Sequence, residues 1–258
     1  MRRFLYHYLA VFIFLAAWEL LPRLGWVNPL FIPPLSEALG AMADLTVSGG
    51  LIEHALISSG RALGGFIGAV VVALPLGLLL GGWYRNLELA LEPLLEGFSQ
   101  ANPFILFHIL LFFLGTGEAT KIVSIGWMCI WPILFNTVAG IRNLDPVLLK
   151  TGTSFGLGRA ALFRRLVLPA AAPAIFTGLR LAAGYSFFML IAAEMMGASS
   201  GLGWLEISQQ ESYHIARIFA VAMVIGLLGL GADSLVRALE RRLVPWGTST
   251  ANYTTGEP

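Results

Sequence analysis

The sequence predicts an all-α membrane protein with six transmembrane helices. Hydrophobic residues make up 57% of the chain and charged residues only 12%, against about 25% in a soluble domain, so there is too little polar surface to solvate a globule. The mean hydropathy is +0.78. The apolar residues also fall into stretches of about 20, the length a helix needs to cross a bilayer.

The first span is read at 5–22, after Arg2 and Arg3. Its apolar run exceeds the 7–15 residues of a signal peptide's core and no small-x-small cleavage site follows, so it reads as a retained span. Glu19, with Trp18 and Trp26 nearby, reads as an interfacial anchor. Asn28-Pro29 and Pro33-Pro34 stop this helix, and Ser36 is placed to cap a short surface helix over 36–47.

The second span, 61–82, is headed by Gly60, Gly64 and Gly68, a stripe that lets helix backbones approach closely. The third, 92–114, contains Asn102-Pro103, where the missing amide predicts a kink, read either as lining a cavity or as packing alone. LGTGEATK makes a tight hairpin into the fourth span, 120–141. The fifth, 171–197, repeats the small-residue stripe at Ala174, Gly178 and Ala182, and the sixth covers 215–236. Residues 1–246 read as one transmembrane domain and 247–258 as a disordered tail.

Orientation follows from the basic residues. With the N-terminus inside, 11 of the 16 Lys and Arg face the cytoplasm, at Arg2, Arg3, Arg85, Arg142, Lys150, Arg159, Arg164, Arg165, Arg237, Arg241 and Arg242. Both termini and the 142–169 loop are therefore expected on that side.

That loop carries the strongest local pattern. In KTGTSFGLGRAALFRRLVLP, residues 150–169, apolar positions recur near helical spacing while Arg159, Arg164 and Arg165 supply a polar side. Gly156 and Gly158 permit a tight turn before the helix, and Pro169 begins the next apolar segment. A short basic amphipathic helix between two spans suits either a soluble partner or the lipid surface.

The chain offers little catalytic chemistry. Neither lysine, Lys121 or Lys150, follows a glycine, so there is no phosphate-binding loop, and any ATPase is another chain. The single Cys129 permits no intrachain disulfide and no cysteine metal site, and no metal or cofactor is expected. A net charge of +1 does not point to nucleic acid. The four histidines, His7, His54, His108 and His214, are scattered. His108 lies inside a span and reads either as a functional group or as a neutral ring bonded to a backbone carbonyl. Glu194 precedes MMGASSGLGW and reads either as a helix-end glutamate bonded to its neighbours or as a gate or scaffold residue beside a translocation path.

The loop resembles the "EAA" loop of ABC importer permeases: Gly156 and Leu168-Pro169 fit, while Lys150-Thr151-Gly152 stands in place of Glu-Ala-Ala. PLGLLLG (75–81), LGTGEATKI (114–122), PILFNTVAGIRNLDPVLL (132–149), the 168–204 run and LERRLVPW (239–246) extend the likeness over roughly 10–246. The chain is thereby similar to permease subunits of the nitrate/sulfonate/taurine group, with a type I ABC importer permease-like fold in a bacterial-type inner membrane.

The resemblance implies a pair of permeases, a homodimer by default, a cytoplasmic ABC ATPase dimer and an extracytoplasmic solute-binding protein. It implies a cytoplasmic coupling helix over 157–163, with Gly156 shaping the turn, Leu157, Arg159, Ala160, Leu162 and Phe163 in the helix, and Arg164 and Arg165 flanking it. Asn102, Pro103, His108 and Glu194 are the translocation-path candidates. The implied solute is a sulfonate, taurine or nitrate, with a vitamin or precursor (a thiamine-type pyrimidine, riboflavin) as the alternative. A scaffold that binds a partner but moves nothing is the remaining reading. A polytopic enzyme built on Glu194 and His108 lacks paired carboxylates and metal-ligand spacing.

Overall fold

A computed structural model describes residues 2–246, with side chains from residue 9 onward. The tail at 247–258 and the ring of His7 lie outside the described part. The described residues form helices and connecting turns, without a strand: α1 (Arg2–Arg23), α2 (Leu35–Ser48), α3 (Leu51–Gly82), α4 (Arg85–Ser99), α5 (Pro103–Leu114), α6 (Glu118–Arg142), α7 (Pro146–Ser154), α8 (Arg159–Leu162), a π-helical turn (Phe163–Val167), α9 (Leu168–Gly197), α10 (Leu202–Glu211) and α11 (Ile215–Leu243).

Four helical runs among the described residues are long and apolar enough to cross a membrane: Leu51–Gly82, Glu118–Arg142, Arg159–Gly197 and Ile215–Leu243. The pair α4 and α5, bent by 86°, passes the same test only when the two are taken together as one broken span. The sixth expected span falls in α1, a 22-residue helix.

The kink expected at Asn102-Pro103 is a full corner. Asn102 is the N-cap of α5, its side chain accepting the amides of Phe104 at 2.9 Å and Ile105 at 3.4 Å. Pro103 then occupies the first turn, where its missing N–H costs nothing. A capping residue followed by proline starts a new helix, and that outweighs the continuous hydropathy on either side.

The contacts cluster into two compact units, Met1–Ser59 with Glu194–Leu228, and Gly60–Ala193 with Gly229–Pro258. In the first, Ser36 does not cap α2. The Glu19 carboxylate instead accepts the Ser36 amide at 2.9 Å and its hydroxyl at 3.0 Å, while pairing with Arg23 at 2.6 Å. A carboxylate at a helix N-terminus answers both its orphan amides and its dipole. Trp18 donates its indole N–H to the Pro33 carbonyl at 3.1 Å, fixing the Pro-Pro turn.

In the second unit α6 is the core helix, with Ile125, Cys129, Ile133 and Leu134 buried. Of the expected α3 stripe only Gly64 lies against another helix, where a Cβ would stand 3.7 Å from Ile122. Gly60 and Gly68 face open space, whereas a Cβ on Gly65 would sit 2.5 Å from Ile125 and one on Gly77 2.7 Å from Thr137. Buried Ala62, Ala69 and Ala73 continue that face. A regular glycine spacing identifies a face that could pack, but the partner helix selects which one does. In α9 the expected stripe is used: a Cβ on Gly178 would meet the Pro132 carbonyl oxygen at 2.7 Å, and Ala182 is fully buried.

The buried basic groups of this unit are paired, as apolar surroundings require. Arg61 and Lys121, each 4% exposed, converge on Glu118 at 2.5 and 2.9 Å. Arg180 of α9 binds Asp233 of α11 at 3.1 Å, and Arg237 joins the same carboxylate.

Candidate functional site

Two constellations stand out, one in each unit. The first is the connection from α6 to α9. Asp145 caps α7 by accepting the Val147 amide at 2.8 Å, with Pro146 in the first turn. The chain then reverses at Gly156, whose φ of +74° only glycine adopts freely. Gly158 caps the helix that begins at Arg159.

The expected separate helix over 157–163 is not separate. Arg159–Gly197 runs as one 39-residue helical stretch, and the short free-standing helix is α7, upstream of the glycine turn. The physical reason lies at Pro169. A proline inside a helix has no N–H and its ring presses on the carbonyl four residues back. The turn before it widens to the π form, with the Leu168 amide bonding to the Phe163 carbonyl, so the helix continues through the proline. Trp246 donates to the Pro169 carbonyl at 3.0 Å and anchors this point.

The candidate docking residues divide. Gly156, Arg159, Ala160 and Arg164 are exposed, as is Arg165. Leu157, Leu162 and Phe163 are half-buried and face inward. Phe163 lies on Trp83 with ring centroids 4.0 Å apart and covers Gly82. Leu162 fills the space at Gly152, where a Cβ would stand 2.4 Å from its Cδ1. The glycine of Lys150-Thr151-Gly152 thus makes room for a leucine, and Lys150 itself is exposed. The large exposed apolar residues of the segment are ones that pattern reading passed over: Phe155, 81% exposed, and Val147, 65%.

The second constellation surrounds Glu194, which is 1% exposed. The Ser58 hydroxyl donates to its carboxylate, 2.9 and 2.8 Å from the two oxygens, and the Gly203 amide donates to Oε2 at 3.0 Å. Ser58 Oγ also accepts the Leu202 amide at 2.8 Å. Two orphan amides of the first turn of α10 are thereby satisfied by side chains from α3 and α9. His54, one turn before Ser58, accepts the Gly201 amide through Nδ1 at 3.0 Å, which leaves the ring proton on Nε2. Its ring packs on Trp204, centroids 5.2 Å apart.

Glu194 thus sits near the end of α9 among bonded neighbours. Sequence reading missed His54 and Ser58. Their signal was the four-residue spacing of two polar groups at the head of an apolar helix. Both lie in the ten residues of α3 that precede the span read at 61–82.

The other path candidates belong to the second unit. Asn102 and Pro103 build the α4–α5 corner. His108 is exposed and its Nδ1 lies 2.8 Å from the Phe104 carbonyl oxygen, the ordinary local bond of a helical histidine. Among the described residues no group of three His, Cys, Asp or Glu could hold a metal ion.

A set of long apolar helices with small-residue packing faces and paired internal charges, joined by a basic loop, defines a polytopic membrane protein. Residues 73–245 match the family described as binding-protein-dependent transport system inner membrane component. The chain belongs to this family and is the permease subunit of an ABC importer. It is 30% identical over 245 residues to the taurine transport system permease protein TauC of Escherichia coli, covering 91% of this chain and 86% of that one. It is 28% identical to the nitrate import permease protein NrtB of Leptolyngbya laminosa, covering 92% and 86%. Its fold matches that of the MetNI methionine ABC transporter with a TM-score of 0.60 at 17% identity, over 75% of this chain and 97% of that chain.

Proposed function

We propose that this permease docks a separate cytoplasmic ATPase through the face formed by α7, Phe155 and the first turn after Gly158. Two copies act as a pair, and an extracytoplasmic binding protein delivers a small sulfonate or related oxyanion. ATP hydrolysis belongs to the partner. The observation that carries the docking reading is Phe155: an aromatic ring 81% exposed in a loop that also exposes Lys150, Arg159, Arg164 and Arg165. Covering such a side chain is worth roughly 1.5–3 kcal/mol, and the rigid turn at Gly156 holds it out at no gain to the chain's own core.

The distribution of Lys and Arg supports placing the 142–169 loop and both termini in the cytoplasm. In the alternating-access reading, closure of the ATPase draws the paired loops together, and the motion enters α9 through the widened turn at Phe163–Val167. Asn102, Pro103 and His108 at the α4–α5 corner, together with Glu194, are the path candidates carried forward. The solute class is supported by the printed functions of the relatives that transport taurine and nitrate.

The test is reconstitution of the chain with its co-purified ATPase and binding protein in liposomes. Uptake of a sulfonate that requires ATP and the binding protein is the expected result. Failure of any ATPase to co-purify, with nucleotide present and in several detergents, overturns the reading.

A further inference from the structure

An apolar groove of about 390 Å³ runs along α1 in the first unit. Phe14, Ala17, Trp18, Leu21 and Pro22 line it from α1, with Phe219 of α11 and the turn at 27–32 as the other walls. The α1 positions follow the i, i+3, i+4, i+7, i+8 spacing of one helical face, and at 1.5 Å per residue they extend about 12 Å. The polar atom among the lining side chains is the Trp18 indole N–H, and it already donates to the Pro33 carbonyl at 3.1 Å. That bond and the rings of Phe14 and Phe219, with centroids 6.1 and 5.9 Å from Trp18, hold the floor of the groove.

The occupant follows from what these walls withhold. They leave no side-chain donor or acceptor for water, and an apolar cavity of this kind stays dry. A charged solute would lose its hydration there with nothing in exchange. A neighbouring helix is about 10–12 Å across, and one turn of about 5.4 Å already exceeds the groove's volume. A single hydrocarbon chain is thin enough to enter and needs no polar partner. The groove is also continuous with a surface that meets hydrocarbon. Phe14 belongs to the exposed apolar flank that includes Val11, Phe12 and Ile13, and in an inner membrane component such a flank lies against lipid tails. At the other end Pro22 is followed by Arg23, whose side chain is 58% exposed. Arg23 uses Nε on Glu19 and Nη2 on Ser36, and a guanidinium has five N–H donors, so it retains donors suited to a phosphate. Trp26, 79% exposed, is of the residue type that sits at headgroup level. Hydrocarbon at one end, and a cation with an indole at the other, is the order of a phospholipid from tail to headgroup.

We propose that this groove holds one acyl chain of a phospholipid, with the lipid phosphate at Arg23. The bound lipid acts as a fixed part of the packing between α1 and α11. The site is separate from the transported solute and from the ATPase contact.

The test uses the full permease complex, stripped of lipid in detergent and titrated with dioleoylphosphatidylglycerol, with bound lipid counted by native mass spectrometry. One phospholipid per permease chain is expected to bind at least about tenfold more tightly than the rest. Ala17→Trp fills the groove and is expected to remove this tight site, whereas Leu20→Trp, at an exposed α1 position outside the groove, leaves it in place. Phe14→Ala removes an exposed wall and should weaken the same site, so it reports even where Ala17→Trp disturbs folding. Dioleoylglycerol, which has the chains without the phosphate, is expected to bind more weakly. The proposal is overturned by absence of a tight site, by a site that survives both Ala17→Trp and Phe14→Ala, or by equal binding of the two lipids. Crosslinking of Ala17→Cys to another protein chain in native membranes would also overturn it, since the groove would then be a protein interface.

Discussion

Gly201 and Glu194 occupy space that admits no side chain on the glycine: a Cβ there would stand 2.2 Å from the glutamate's Oε1. Gly201 also holds φ at +111°. The first constraint arises because the carboxylate reaches past this residue to the Gly203 amide, and the backbone conformation adds a second. The Gly-Leu-Gly run after Glu194 is thus a receptor for a buried carboxylate, made of one residue without a side chain and one close-lying amide.

Gly201→Ala is therefore expected to destabilise the protein by roughly 1–3 kcal/mol from backbone strain alone, with displacement of Glu194 adding to it. The midpoint of thermal unfolding in detergent is the measurement. An unchanged midpoint would mean that the turn has another conformation open to it.

Ser58→Ala removes the hydroxyl that both donates to Glu194 and accepts from Leu202. The expected loss is about 1–3 kcal/mol, the range for leaving a buried polar partner unsatisfied. Hydrogen exchange at the Leu202 amide should rise, while exchange within α6 stays as it was. Equal effects in both places would indicate general unfolding instead.

Phe155 and Phe163 lie in one loop and are expected to respond oppositely to aspartate. Phe155→Asp should abolish co-purification of the ATPase with the thermal midpoint unchanged, because the ring is 81% exposed. Phe163→Asp should lower the midpoint, because that ring packs on Trp83 and over Gly82. Parallel pull-down and unfolding curves separate the two.

Glu206 lies on α10, and burial raises its carboxyl pKa above the ordinary value. The folded protein therefore holds this proton more tightly than the unfolded chain does. The protonated group's contribution to stability is full below the ordinary carboxylate range and is lost as pH rises through the raised value. Glu206→Gln should flatten that part of the profile, so the variant gains in midpoint relative to the parent at pH 8 compared with pH 4. A constant difference across that range would contradict the burial effect.

Several features were open to direct reading. The surplus of apolar residues placed α3, α6, α9 and α11 in a membrane class, and the short helix read at 36–47 matches α2 to within a residue at each end. The glycine turn at Gly156 was legible because few other residues enter that region of φ. The direction of Phe163 was not. Its apolar character fits either a partner's cleft or its own protein's core, and Trp83, 80 positions away, decides for the core.

The sequence by itself determined the membrane class, the position of most helices, the basic loop and the absence of a phosphate-binding loop. These depend on composition, on local period and on residues such as proline and glycine whose backbone preferences are their own. Tertiary structure alone decided that Gly65 rather than Gly60 or Gly68 meets α6, that Ser58 binds a glutamate 136 residues later, and that Glu88 keeps an oxygen buried and unmatched. Those outcomes depend on which helix faces meet. A helical period marks an apolar face every few residues, but it does not encode which distant face will cover it.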